Sequence, residues 1–355
     1  DLGKQGSETL AAVAQTPAAA LGSCRHKPSR EDCEKVFDVF RKYSVHYFFY
    51  IGGNDSAETA DIINTIARER SYELRVFHVP KTIDNDLRVT DHCPGYGSAA
   101  RYVACCFAGN DLDNRALPGV KIDIVMGRHA GWLTAASALG RIDEDSGPHL
   151  IYLPEKRVNL EQICDDVARV YSRLGRCLVA VSEGVCAEDG KLLIESEANS
   201  VNSGEKDSHG NVQLSGSGAL GDFLAESVKR GLKSRFEEKI RVRTDTLGYA
   251  QRSFVGTYSE VDAQEARMVG EAAVKYAMKG DIDGSIAINR LPGDDYVVEP
   301  MLSKLKDVAR VTKDMPEEFI SPERADVTEE FLNYLRPIVG EIPQIGLLEQ
   351  RLYKK

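Results

Sequence analysis

Short apolar runs alternate with longer amphipathic stretches along this chain, the pattern of an α/β protein with a largely parallel sheet. Four runs predict strands: HYFFYI (46–51), LRVFHV (74–79), IDIVM (122–126) and CLVAVS (177–182). Between them the spacing predicts helices over Arg30–Tyr43, Ser56–Arg70, Gly97–Ala108 and Leu160–Leu174, with Ser56 capping the second. Each strand runs into Gly, Asn, Asp or Glu, as expected where carboxyl ends of strands open into a ligand crevice. Glu197–Leu220, rich in Ser, Gly and Asn, reads as a surface loop or lid. The tail from Met301 reads as a charged helix followed by a Pro-containing segment, LRPIVGEIPQIG, that wraps the body.

A length of 355 residues predicts two or three domains and ample core. The 45 basic residues fall short of the 55 acidic ones, giving a net charge of −10, so the chain carries no overall footprint for nucleic acid. Any phosphate would have to bind in a local pocket. No uncharged apolar run approaches the ~20 residues that span a bilayer. Eight cysteines form no CxxC pair and no cluster with zinc spacing, so reduced thiols in a cytoplasmic protein are expected. The first residues have no basic segment leading an apolar core, so a signal peptide is not expected.

The candidate chemistry sits at the strand ends. Ile51–Ser56 (IGGNDS) leads from a strand through Gly52 and Gly53 into a helix, where backbone amides and the helix dipole favour an anion. Taken alone, a plain strand-to-helix turn explains it equally well. Pro80–Asp86 (PKTIDND) is more specific, because one lysine and two aspartates crowd the mouth of a sheet. In an extended loop Thr82, Asp84 and Asp86 would point the same way. One carboxylate could then take a proton from a substrate hydroxyl, its neighbour could hold Mg²⁺, and Lys81 could neutralise a transferring phosphoryl group. A solvated acidic turn is the bland alternative. Val125–Trp132 (VMGRHAGW) offers Arg128 as a planar fork for phosphate or sugar oxygens, with Trp132 read as core. Glu183 ends a strand in VSEG, and RTDTLGYAQR supplies Arg243, Tyr249 and Arg252. Such sites at successive sheet mouths favour a polyhydroxylated, phosphorylated ligand. His92, His129 and His149 lack paired ligand spacing and read as surface or supporting groups, while Cys105 and Cys106 read as small core residues.

Together the motifs GSCR (22–25), GGNDS, PKTIDND, GYGSA (95–99), MGRHAGW, VSEG and LGYAQR resemble, in order, the phosphofructokinases, specifically their bacterial pyrophosphate-dependent branch. The resemblance spans about residues 20–255. It implies two Rossmann-like three-layer domains with the active site in the cleft between them. The donor domain would comprise 1–95 plus about 253–305, and the fructose 6-phosphate domain 96–252 plus about 306–355. The family's first strand and glycine loop would precede residue 1. By the same resemblance Asp84 is the base toward the C1 hydroxyl of fructose 6-phosphate, with Thr82, Ile83 and Asp86 beside it. Met126, Gly127, Arg128 and Glu183 would bind the sugar, Tyr249 and Arg252 its 6-phosphate, and Arg243 would reach in from a neighbouring subunit of a homodimer or homotetramer. Gly52, Gly53, Asn54, Asp55, Ser56, Lys81 and Arg25 would hold the donor.

Members that use ATP have glycine at the positions of Asp55 and Lys81, whereas pyrophosphate users have this Asp and Lys. An aspartate there repels a nucleotide α-phosphate, and the lysine adds a charge for the transferring group. The expected reaction is reversible transfer from Mg²⁺-pyrophosphate to fructose 6-phosphate. Two features depart from the family pattern. Asn54 stands at the metal aspartate, which shifts the Mg²⁺ contact to Asp55, to Asp86 or to the neutral oxygen of Asn54 itself, and Gly119 stands where a second subunit-crossing arginine is found. With the missing glycine loop, these motivate one rival reading, a catalytically weak regulatory or binding subunit; the rival within the enzyme class is an ATP-dependent phosphofructokinase, against which Asp55 and Lys81 speak.

Overall fold

The computed structural model describes residues 1–355 other than 25, 27, 198–217, 281, 310 and 349–355. The chain opens with α1 (Ser7–Ala14), α2 (Arg30–Tyr43), β1 (Tyr47–Gly52), α3 (Asn54–Glu69) and β2 (Arg75–Pro80). A middle stretch follows: α4 (Tyr96–Ala116), β3 (Val120–Val125), α5 (Trp132–Ala136), β4 (Leu150–Tyr152), α6 (Leu160–Leu174), β5 (Cys177–Ser182), α7 (Leu193–Glu197), α8 (Ala219–Lys233) and β6 (Val242–Thr246). The last elements are α9 (Glu260–Ala277), β7 (Gly284–Arg290), β8 (Val298–Ser303), α10 (Leu305–Val308) and α11 (Glu329–Val339).

Among the described residues the strands form two four-stranded sheets, ordered β1-β2-β7-β8 and β4-β5-β3-β6. The second is parallel throughout; in the first only β8 runs antiparallel, against β7. Every residue of β3 and β5 is buried, because helices cover both faces and each face must then be apolar. Ile122, Ile124, Val179 and Val181 face Val167, Leu224 and Val228 of α6 and α8. Leu178 and Ala180 face the other way, into a core with Val103 and Phe107 of α4, Trp132, and Phe331 and Leu335 of α11. In the first sheet, Val76 packs with Phe37, Phe40, Ile63 and Ile66 of α2 and α3, while Phe77, Val79, Ile286 and Ile288 meet Val269 and Ala273 of α9.

Local signals set the best-predicted helices. Ser29 and Asp32 form a reciprocal capping box at the start of α2, and α6 runs from an Asn159 cap to Gly175 in the left-handed region. Two expectations need correction. Ser56 is not the cap of α3; the helix begins two residues earlier, capped by Gly53, because the glycine turn leads straight into it. The tail is not helical from Met301, which lies in edge strand β8, and Pro337 sits inside α11 rather than in a wrapping coil. Of the two places expected for His92, surface or supporting, it takes the second, fully buried between Asp91 and Glu265 at 2.8 and 2.5 Å. The lid expected over Glu197–Leu220 lies, for 198–217, outside the described residues; Leu220 belongs to α8. Trp132 is core, as expected, and all eight cysteines are free thiols. Among the described residues no helix is long and apolar enough to cross a membrane.

Candidate active site

The carboxyl ends of β1 and β2 lie side by side, Gly52 in register with Pro80, so the two turns that follow them meet. The Lys81 amide donates to the Gly52 carbonyl at 2.9 Å. Beneath, buried His78 donates from Nε2 to that same carbonyl (2.9 Å) and accepts from the Ser285 hydroxyl at Nδ1 (2.7 Å). Burial pushes its pKa down to about 4, so it serves as a neutral brace. Sequence reasoning missed His78, and a histidine inside an apolar strand was its only signal.

The loop after β2 is not extended. Asn85 adopts φ 55°, in the left-handed region, which turns the chain between the two aspartates and gives their carboxyls different neighbours. Asp84 lines an open cleft of about 620 Å³ together with Lys81, Thr82, Ile83 and Arg252. Asp86 instead turns to Asn54, whose Nδ2 donates to its carboxylate at 2.7 Å. The expectation that Thr82, Asp84 and Asp86 share one direction is therefore corrected. Thr82 Oγ1 accepts from the Asp84 amide at 3.1 Å and holds the start of the turn. Burial and the nearby Glu183 carboxylate push the Asp84 pKa up to about 6, against the opposing pull of Arg252 and Lys81. Asp86 is likewise pushed up to about 6, by burial and by Asp84. A carboxyl poised near neutrality in a cleft is suited to accept a proton.

Asn54 Oδ1 is buried without a protein partner beside Asp86. Among the described residues no group of three or more His, Cys, Asp or Glu side chains could hold a metal ion. Two oxygen donors with the remainder supplied by water and substrate phosphates is, however, how Mg²⁺ is usually held. Asp55 is exposed on the first turn of α3, and Ser56 follows it in the helix.

β3 ends at Val125 and leads into Met126, Gly127 and Arg128, next to the turn after β5. Gly127 has φ 138°, and a Cβ there would lie 2.6 Å from the Ala130 carbonyl. Gly184 is held so close to the Arg128 carbonyl that a side chain has no room. Ser182 Oγ donates to the Gly127 carbonyl (2.6 Å), which ties the two turns together and sets Glu183 beside the MGR backbone. The Met126 amide donates to Gln251 Oε1 at 3.4 Å, bringing in the 3₁₀ turn that carries Tyr249 and Arg252, whose guanidinium lies 4.7 Å from the Tyr249 ring. Arg243 is not brought to this cleft. It sits at the opposite end of β6, in register with Lys121, paired with Asp113 at 3.1 Å. Arg25 lies outside the described residues. Another wall of the cleft comes from the N-terminal segment, including Ser23 of GSCR and also Gln15, Thr16 and Pro17, which the motifs did not single out.

The phosphofructokinase family model matches residues 2–277 of the chain. The chain belongs to the phosphofructokinase family. A protein of Rhodospirillum rubrum named pyrophosphate–fructose 6-phosphate 1-phosphotransferase is 53% identical over 342 residues, 96% of this chain and 82% of its own length. One of the same name from Xanthomonas campestris is 37% identical, over 97% of this chain and 81% of its own. The crystal structure of a pyrophosphate-dependent phosphofructokinase from Nitrosospira multiformis superposes with a TM-score of 0.81 at 31% identity, covering 98% of this chain and 81% of that one. The phosphofructokinase fold thus accounts for both sheets, and residues of the PKTIDND, GYGSA and LGYAQR motifs line the cleft.

Proposed function

We propose that this chain transfers a phosphoryl group reversibly from pyrophosphate to the C1 hydroxyl of fructose 6-phosphate, giving fructose 1,6-bisphosphate and phosphate. The observation that carries this reading is Asp84, a carboxyl pushed up to about 6 at the floor of a cleft that it shares with Lys81 and Arg252. The names of the similar proteins supply the substrates.

In this reading Asp84 accepts the C1 proton as the oxygen attacks in line. Lys81 stabilises charge on the transferring phosphoryl group. Arg128, Glu183 and the Met126–Gly127 backbone hold the sugar hydroxyls, and Arg252 with Tyr249 takes the 6-phosphate. Gly52, Gly53 and the first turn of α3, with Ser56, face the donor. The orphaned Asn54 Oδ1 and the adjoining Asp86 fit a Mg²⁺ ion, which when bound would screen the phosphoryl oxygens; Asp55 is the third candidate. Asp55 and Lys81 favour pyrophosphate over ATP by charge. The sheets β1-β2-β7-β8 and β4-β5-β3-β6 correspond to a donor domain (1–95 and about 253–305) and a sugar domain (96–252 and about 306–355). Cytoplasmic location and a homodimer or homotetramer complete the reading.

The test is aldolase-coupled turnover of fructose 6-phosphate with Mg²⁺ and either pyrophosphate or ATP, on the protein and on Asp84→Asn. Turnover with pyrophosphate alone is expected, falling about 10²–10⁴-fold in the variant. Turnover with ATP would overturn the donor assignment. Binding of the sugar phosphate without turnover would mean a regulatory subunit.

A further inference from the structure

The loop that carries Asp84 and Asp86 contains two left-handed residues, one of a type that tolerates that region and one that does not. Asn85, between the two aspartates, has positive φ, as does the β-branched Val89 four residues on, at 71°. Asn tolerates this region, but the strained Val89 persists only where surrounding structure over-determines the loop. Asn85 is fully buried and both ends of its amide are used: Oδ1 accepts from the Cys93 amide (3.0 Å), closing the loop on itself, and Nδ2 donates to the Tyr334 hydroxyl (3.1 Å). That hydroxyl donates in turn to the Asp91 carbonyl at 3.0 Å, so one side-chain oxygen bridges the start and the end of the loop.

Tyr334 comes from α11, beyond the residues matched by the family model. It is itself clamped. The Arg290 guanidinium lies 4.6 Å from its ring, donates to its carbonyl at 3.1 and 3.2 Å, and pairs with Asp91 at 3.1 Å. Trp132 and Phe319 pack on the ring at 5.6 and 5.2 Å. The geometry points to Tyr334 as a positioning residue for phosphoryl transfer, a latch from the C-terminal helix that fixes the left-handed Asn85 turn and so keeps Asp84 aimed into the cleft while Asp86 faces Asn54. This rests on the reading of Asp84 as the base.

Tyr334→Phe removes only the bridging oxygen and leaves the aromatic packing. The expected result is a kcat lower by about tenfold, the scale of one buried hydrogen-bonding group, with the KM for fructose 6-phosphate within about twofold. Added to Asn85→Ala, it should cause no further loss, because both changes break the same link. Hydrogen exchange at the Cys93 amide should also quicken by about tenfold in Tyr334→Phe, a readout that needs no turnover. An unchanged kcat, a loss that multiplies with that of Asn85→Ala, or unaltered Cys93 protection would each overturn the latch. A parent protein that turns over neither donor would overturn the functional reading alone, because the exchange measurement still reports on the link.

Discussion

Asp84 and Asp86 are two residues apart, yet one faces the cleft and the other Asn54, with the left-handed Asn85 between them. The roles differ because the surroundings differ: Asp84 feels Glu183, Arg252 and Lys81, whereas Asp86 feels Asp84, His129 and Lys313. The sign of the pH effect follows. With its pKa raised to about 6, Asp84 is a neutral acid below that pH and cannot accept a proton, so kcat should rise as pH passes through 6 and level off above it. Glu183→Gln removes the negative charge that helps hold Asp84 protonated, so the acid limb should move to lower pH. A limb that stays in place in a pH–rate series on this variant would mean that another group sets it. The identities of these residues were legible in PKTIDND, but their directions were not. The extended loop assumed from the sequence ignores a turn that buried partners hold.

Among the elements, strands buried on both faces and helices with clear caps were read almost to the residue. CLVAVS is β5, and Arg30–Tyr43 and Leu160–Leu174 are α2 and α6. Of the edge strands only β1 was. β6 reads VRTDT and is only partly buried, so it has no continuous apolar run, and β4 is three residues long. β7 is mostly buried, but Ser285, which serves His78, interrupts its apolar run. The turn between β3 and α5 has no slack. Gly127→Ala would add both positive-φ strain and a clash with the Ala130 carbonyl, whereas Gly175→Ala, also at positive φ at the end of α6, meets open space. Gly175→Ala should cost about 1 kcal/mol, and Gly127→Ala clearly more, with a lowered affinity for fructose 6-phosphate. Thermal unfolding of the two variants side by side checks this; equal losses would mean that the Gly127 turn can relax.

At the scale of the whole molecule, the cleft is assembled from turns of both sheets, and Arg243 lies at the far end of β6 from it. If Arg243 completes a neighbouring subunit's sugar site, each site takes Asp84 from one protomer and Arg243 from the other. A mixture of Asp84→Asn and Arg243→Ala proteins, unfolded and refolded together, should then regain activity that neither shows alone, since a hybrid contains one intact site. Absence of rescue in hybrids verified by mass would confine Arg243 to its Asp113 pair. The charge balance is silent on this point, because a net −10 describes the surface as a whole and not a pocket.

By itself the sequence determined the α/β architecture, the order of the sheet-end motifs, and which residue types could carry acid–base and phosphate chemistry. These are local properties: an apolar run makes a strand, glycine permits the turn, and polar residues follow where the strand ends. Tertiary structure decided which of those residues act together and in what state. Asn54 meets Asp86 across 32 residues and Asn85 meets Tyr334 across 249. The Asp84 pKa comes from dehydration and from charges on separate turns. Direction and protonation depend on what distant segments place within a few ångströms, and no spacing along the chain encodes that distance.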